Sequence, residues 1–144
     1  MAIKLSVKEF VLRYTPHANE VATKMGVPAL VTLTQAALES GWNAHAPSYN
    51  FFGMTAGSNW KGRTQVLKNA KGQSITYRAY DSPEQAFADY ASLLANSDRY
   101  KAAFKYIDNP ALFLKAVIAG GYTTDAGYYQ LCLSVMNSIK KHVV

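Results

Sequence analysis

The sequence predicts a single mainly α domain of the α+β class, carrying one small β-hairpin lobe. Three observations support this. Apolar residues recur at helical spacing through most of the chain. Capping residues and prolines punctuate those stretches. Only within residues 63–80 does the pattern change to short alternating runs around a turn. At 144 residues the chain suits one core, burying roughly two thirds of the surface exposed when unfolded. With no internal repeat, low-complexity tract or linker, the domain is expected to span residues 1–144.

Ser6 and Glu9 form a capping-box pattern ahead of Val7, Phe10 and Val11. A first short helix is expected to end near Thr15, because Pro16 disfavours helical geometry in the residue before it. A second is expected over residues 16–25, closed by Gly26, with Pro28 placed to open a third. That third stretch, "PALVTLTQAALES", is apolar around most of its circumference and should be the central buried helix.

Residues 41–62 are rich in Gly, Asn, Ser and aromatics and read as irregular. A β-hairpin is expected over residues 63–80 around the turn-like "NAKG". Ser82, Pro83 and Gln85 supply an N-cap, a first-turn proline and a capping partner for the next helix, to about residue 95. Helices over residues 99–107 and 110–119 follow, the second stopped by Gly120 and Gly121. The last, residues 127–142, is expected to pack through Tyr128, Leu131, Val135 and Ile139.

A net charge of +6 admits a polyanionic partner, whether nucleic acid, an anionic membrane or the bacterial cell wall, and is equally explained by solubility. The fifteen Lys and Arg form no block of five, which argues against a nucleic-acid-binding tail. The single cysteine, Cys132, lies among apolar neighbours and reads as a core thiol. His17, His45 and His142 are too scattered for a metal-ligand pattern, so neither metal nor cofactor is expected.

The opening "MAIKLSVKEFVLRY" has no uninterrupted apolar stretch suited to a signal peptide, and no apolar run of about 20 residues suits a membrane span. Read as a native start, it implies a chain made in the cytoplasm. Any action at the periplasm or cell wall then depends on phage lysis or a dedicated secretion system.

The chemistry gathers around "ALESGWN", where a buried-helix pattern ends on Glu39. A carboxyl there loses solvation and meets the negative end of the helix dipole, and both effects raise its pKa. Such a group holds a proton near neutral pH and serves as a general acid. Aromatics cluster in the segments read as non-helical, among them Trp42, Trp60, Tyr122 and Tyr128. Sugar rings stack on aromatic planes while amides and hydroxyls bond their rims, so Trp42 and Trp60, in Gly- and Asn-rich surroundings, are expected to face a cleft.

"TQAALESGWN", "NFFGMTAGSNWKG", "YRAYDSPEQAFADYASLL", "RY" and "GGYTTDAGYY" together resemble the bacterial N-acetylglucosaminidases of glycoside hydrolase family 73. That family includes hydrolase domains of flagellar rod-assembly proteins, autolysins and phage lysins. The likeness runs collinearly over about residues 16–144. It implies a lysozyme-like fold, with the hairpin lobe flanking a substrate groove, and hydrolysis of the β-1,4 bond from N-acetylglucosamine to N-acetylmuramic acid in peptidoglycan. By motif, Glu39 matches the catalytic acid and Tyr122 the aromatic residue facing it, while Asn50, Phe52 and Gly53 match the "N-x-F-G" wall of the groove.

One departure bears on mechanism. Several members carry a second acid on the hairpin, but no Asp or Glu occurs here in residues 40–80. Three substitutes remain. The substrate's own 2-acetamido group could act as internal nucleophile, the favoured route. Water could be held by neutral groups such as Tyr122, Thr123 or Asn50. Asp125 could serve, although "TD" ahead of a helix is first an N-cap.

The expected substrate-binding set is Trp42, Asn50, Phe52, Gly53, Trp60, Thr123, Asp125 and Tyr128, with Glu39 and Tyr122 catalytic. The expected partner is the peptidoglycan glycan strand, with no nucleic acid and no stable membrane association. An inhibitor or immunity protein is admitted as a partner, and the chain is expected to be a monomer. The alternatives are a muramidase or lytic transglycosylase of the same fold, or a wall-binding module that has lost catalysis.

Overall fold

The computed structural model describes residues 3–143. Five α-helices and one two-stranded sheet follow in the order α1 (Val7–Met25), α2 (Ala29–Ser40), β1 (Thr64–Lys68), β2 (Ser74–Arg78), α3 (Pro83–Asn96), α4 (Pro110–Ala119) and α5 (Tyr128–Lys140). The expectation of a mainly helical domain with a hairpin lobe holds. Among the described residues, no helix is long and apolar enough to cross a membrane.

Helix α1 departs from the expected break at residue 15. It starts with the anticipated capping box of Ser6 and Glu9 but runs unbroken through Pro16 to the left-handed cap at Gly26. A proline removes the hydrogen bond to the carbonyl four residues earlier, here that of Leu12. Both Pro16 and Leu12 are exposed, so water can satisfy that carbonyl. The buried stripe of Phe10, Val11, Tyr14, Ala18 and Val21 continues past the proline, and its packing holds the helix together.

Helix α2 is the centre of the domain, packed by α1, α4 and α5. Eight of its residues are buried, including the polar Thr32, Thr34, Gln35 and Ser40. The Thr34 and Ser40 hydroxyls donate back to the carbonyls of Leu30 and Ala36 at 2.7 and 2.6 Å. An aromatic cluster closes the core beside it: Phe10 packs on Tyr14, Tyr14 and Phe51 meet Phe87 of α3, and Phe52 stacks on Tyr90 at 3.9 Å between ring centroids.

The hairpin pairs antiparallel from Thr64 opposite Arg78 to Lys68 opposite Ser74, and an isolated bridge joins Thr55 to Tyr77. No residue of either strand is buried, so the lobe stands off the core. The expected helix over residues 99–107 is a 3-10 segment, Asp98–Tyr106. On α5 the buried stripe is Tyr128, Cys132, Met136 and Ile139. Leu131, expected to pack inward, is 50% exposed, because the stripe advances by about one helical turn per step and leaves it on the outer face.

Candidate active site

Glu39 lies in the last turn of α2. The helix then stops in a Schellman arrangement: the Gly41 N–H reaches the Leu38 carbonyl at 3.3 Å and the Trp42 N–H reaches that of Ala37 at 2.8 Å. Gly41, Trp42 and Asn43 all have positive φ, so the chain reverses sharply and leaves the acid at the helix end. The Tyr14 hydroxyl donates to Asn43 Oδ1 at 2.6 Å and ties this reversal to α1.

Two cavities meet at that acid. One, of about 410 Å³, is lined by Glu39, Phe52, Gly53, Thr55, Arg78, Arg99, Tyr100, Tyr122 and Thr123 among others. The second, of about 620 Å³, lies toward the hairpin and is lined by Glu39, His45, Pro47, Asn50, Gly53, Leu67, Lys68 and Tyr77 among others. Both volumes fall in the range of small-molecule and saccharide clefts. Glu39 and Gly53 belong to both, so a chain-like ligand threading the two cavities passes the carboxyl midway. Among the described residues, Glu39 is the only Asp or Glu lining either one.

Glu39 is exposed along the groove, with Phe52, Gly53 and Tyr122 among the residues that line the cavity around it. Desolvation lifts its carboxyl above the usual range, and the Tyr128 hydroxyl partly offsets this by favouring the ionised form. Burial also raises the phenols of Tyr122 and Tyr128 well above their ordinary value, and the Glu39 charge adds to both. Both stay neutral hydrogen-bond donors through the physiological range.

Beneath the acid runs a buried polar string that the sequence did not announce. Tyr90 donates to Gln35 Oε1, and Gln35 Nε2 donates to the Tyr128 hydroxyl at 3.2 Å. Gln35 precedes Glu39 by one helical turn on α2. Cys132, buried as expected, lies against the same region, and burial pushes its thiol up to about 11.

The other anticipated residues divide by location. Tyr122 and Thr123 line the first cavity, where the Thr123 hydroxyl accepts the Asp125 N–H at 3.1 Å. Phe52 forms part of the same floor, fixed by its stack on Tyr90. Gly53 has φ +65, which favours glycine, and a Cβ placed there would lie 4.0 Å from Glu39 Oε2, an ordinary contact.

Asn50 lines the second cavity but is buried with its amide committed. Nδ2 donates to the Met54 and Arg78 carbonyls at 3.0 and 2.9 Å, and Oδ1 accepts the Met54 N–H at 3.0 Å. It braces the loop to the hairpin rather than holding water. Tyr128 sits below the groove and lines neither cavity.

The two tryptophans differ from the cleft-facing expectation. Trp42 packs edge-on against Phe10 at 5.5 Å. Trp60 lies under the Arg78 guanidinium at 4.8 Å, with Nε1 donating to the Arg63 carbonyl at 2.8 Å. Neither lines either of these two cavities, because each ring is taken up by packing. Asp125 is exposed at the start of α5, where Oδ1 accepts the Gly127 N–H at 2.9 Å, a turn-closing role close to the expected cap.

The family model described as Glucosaminidase, mannosyl-glycoprotein endo-beta-N-acetylglucosaminidase, matches residues 15–141. The chain belongs to the glucosaminidase family. Among curated relatives, the peptidoglycan hydrolase FlgJ of Pseudomonas aeruginosa is 35% identical over 137 residues, covering 85% of this chain and 34% of that protein. The chain therefore spans about a third of that relative's length. Among solved structures, a peptidoglycan hydrolase from Sphingomonas sp. A1 superposes with a TM-score of 0.85 at 39% identity, over 94% of this chain and 92% of the other. The glycoside hydrolase domain of Salmonella typhimurium FlgJ does so with a TM-score of 0.83 at 33% identity, over 95% and 90%.

Arg78, Arg99, Tyr100, His45, Lys68 and Tyr77 line this glucosaminidase groove without having been singled out as site residues. "RY" at 99–100 was a visible signal, since it stands among the segments of family likeness. The rest come from loops and strands that converge only on folding.

Proposed function

We propose that this glucosaminidase-family chain is a peptidoglycan glycosidase that hydrolyses the β-1,4 bond from N-acetylglucosamine to N-acetylmuramic acid, with Glu39 as general acid. The observation that carries the reading is a lone, desolvated carboxyl at the junction of two cavities. The relatives named peptidoglycan hydrolases support the choice of substrate.

In this reading, protonated Glu39 gives its proton to the glycosidic oxygen as the bond to the anomeric carbon breaks. With no second carboxylate lining the groove, the substrate's 2-acetamido oxygen closes onto that carbon. Water then attacks the same carbon, loses its proton to Glu39 and reopens the ring with retained configuration. The Tyr122 hydroxyl, on the same cavity wall, stays neutral and stabilises charge developing at the sugar. The net charge of +6 attracts the enzyme to anionic wall polymers, an attraction that salt screens.

The deciding experiment is mass spectrometry, after borohydride reduction, of fragments released from purified peptidoglycan by the wild type and by Glu39→Gln. Reducing-end N-acetylglucosamine from the wild type alone establishes the bond and the acid. Reducing muramic acid or its 1,6-anhydro form would reassign the chemistry to a muramidase or lytic transglycosylase. Wall binding with no fragments from either protein would mark a binding module.

A further inference from the structure

Among the described residues, the arginine on the first cavity's wall at position 99 has no anion. Among the described residues, the ion pairs are Lys24 with Glu20, Arg63 with Asp81, and Arg78 with Asp89. Arg78 shares the first cavity with Arg99 but is spoken for: Nη1 meets Asp89 Oδ2 at 2.7 Å and Nε donates to the Thr55 carbonyl at 3.0 Å. Among the same residues, the Arg99 side chain makes neither an ion pair nor a hydrogen bond.

Arg99 is nonetheless held in place. Its guanidinium carbon lies 4.9 Å from the ring centroid of Tyr100, which is buried. Its carbonyl approaches Gly120 so closely that a Cβ there would be 2.2 Å away. At Gly121, with φ +100, a Cβ would come within 3.8 Å of Arg99 Nη1. The two glycines ahead of Tyr122 thus seat the arginine against the cavity that also holds Glu39, Tyr122 and Thr123.

Arg99 is exposed, with its guanidinium over the Tyr100 ring. A planar fork of donors placed in this way on the wall of an open cavity matches a carboxylate in two-point contact. We infer that Arg99 is a specificity residue that binds a carboxylate carried by the muramoyl unit of the glycan. The inference rests on the proposed peptidoglycan substrate and names which part of it this wall reads. Two sources offer that chemistry: the lactyl carboxyl of a peptide-free glycan, and the free carboxyls of a stem peptide.

The test is calorimetric binding to Glu39→Gln, alone and combined with Arg99→Gln or Arg99→Lys. The ligands are neutral chitin oligosaccharides, peptide-free glycan oligomers with free lactyl carboxyls, and the same oligomers bearing stem peptides. Arg99→Gln should reduce the preference for carboxylate-bearing over neutral ligand by about 10- to 100-fold, the range of a charge-assisted hydrogen bond. Arg99→Lys should restore part of it.

Loss confined to the peptide-free oligomers assigns the lactyl group, and loss confined to the peptide-bearing ones assigns the stem. An equal fall for neutral and anionic ligands, or no change in the ratio, overturns the inference. Because binding is read without turnover, a wild type that cleaves nothing would refute the proposed hydrolysis while leaving this result to stand or fall by itself.

Discussion

The side-chain amide of Gln35 donates to the Tyr128 hydroxyl at 3.2 Å, one helical turn below Glu39. Tyr90 donates to the Gln35 oxygen, which leaves the amide nitrogen for Tyr128. The Tyr128 hydroxyl therefore accepts from Gln35, and its own proton is free to favour the ionised form of Glu39.

Removing that proton should raise the Glu39 carboxyl further. In Tyr128→Phe the alkaline limb of the activity profile should move to higher pH, because the acid stays protonated longer. Gln35→Leu leaves the buried Tyr90 hydroxyl without its acceptor and removes a donor from Tyr128, and should cost about 1–3 kcal/mol of stability. Paired pH-rate profiles and urea unfolding curves check both outcomes.

Glu39 should also show itself in stability against pH. Its folded pKa is raised above the unfolded value, so the wild type loses stability as pH climbs from the ordinary carboxylate range through the folded pKa. Glu39→Gln lacks this loss. It should melt higher than the wild type above that window, and the gap should narrow as pH falls below it. A melting-temperature difference that does not vary between pH 4 and 8 would contradict the desolvated acid.

The remaining acids near the fold's polar surface should be spectators of chemistry. Asp81 is paired with Arg63. Neither it nor Asp98 or Asp108 lines either cavity. Their Asn variants should keep activity within about threefold of wild type, as expected of groups outside the reacting centre. A hundredfold loss at any of them, measured on purified peptidoglycan, would identify the missing second acid.

Gly53→Ala should be costly because the positive φ disfavours a side chain by about 1–2 kcal/mol. The new methyl would be in van der Waals contact with Glu39 Oε2 at 4.0 Å, adding apolar surface beside the carboxyl. Lower stability is expected together with a shifted pH profile, read from the same two measurements.

Pro16→Ala is expected to stabilise the protein by up to about 3 kcal/mol, the usual cost of proline inside a helix. It should restore a hydrogen bond to Leu12 without disturbing buried packing. The urea midpoint would report it, with activity unaltered.

Most helix starts, the hairpin and the place of a carboxyl at the end of α2 were legible in the sequence because each rests on a local signal: a capping pair at Ser6 and Glu9, alternation around a turn, a charged residue ending an apolar run. Pro16 misled because a local rule was overridden by the continuous buried stripe either side of it. Trp42 and Trp60 misled because composition records that an aromatic lies in a loop, not which partner claims its ring. Arg99 and Tyr100 join Glu39 only through the packing of the Asp98–Tyr106 segment against α4 and the 120–121 turn. The Tyr90, Gln35 and Tyr128 string spans three helices, and no spacing along the chain announces it.

The hairpin wall has a consequence for how such a domain can diverge. Its strands bury nothing, and it is moored at its base by Asn50, Arg78 and Trp60. Residues toward the tip, such as Lys68 and Leu67 on the second cavity, can therefore be exchanged without opening a void in the core. The hairpin wall of the groove is mechanically separate from the packed helices that keep the protein folded. Change in one need not be bought with loss in the other.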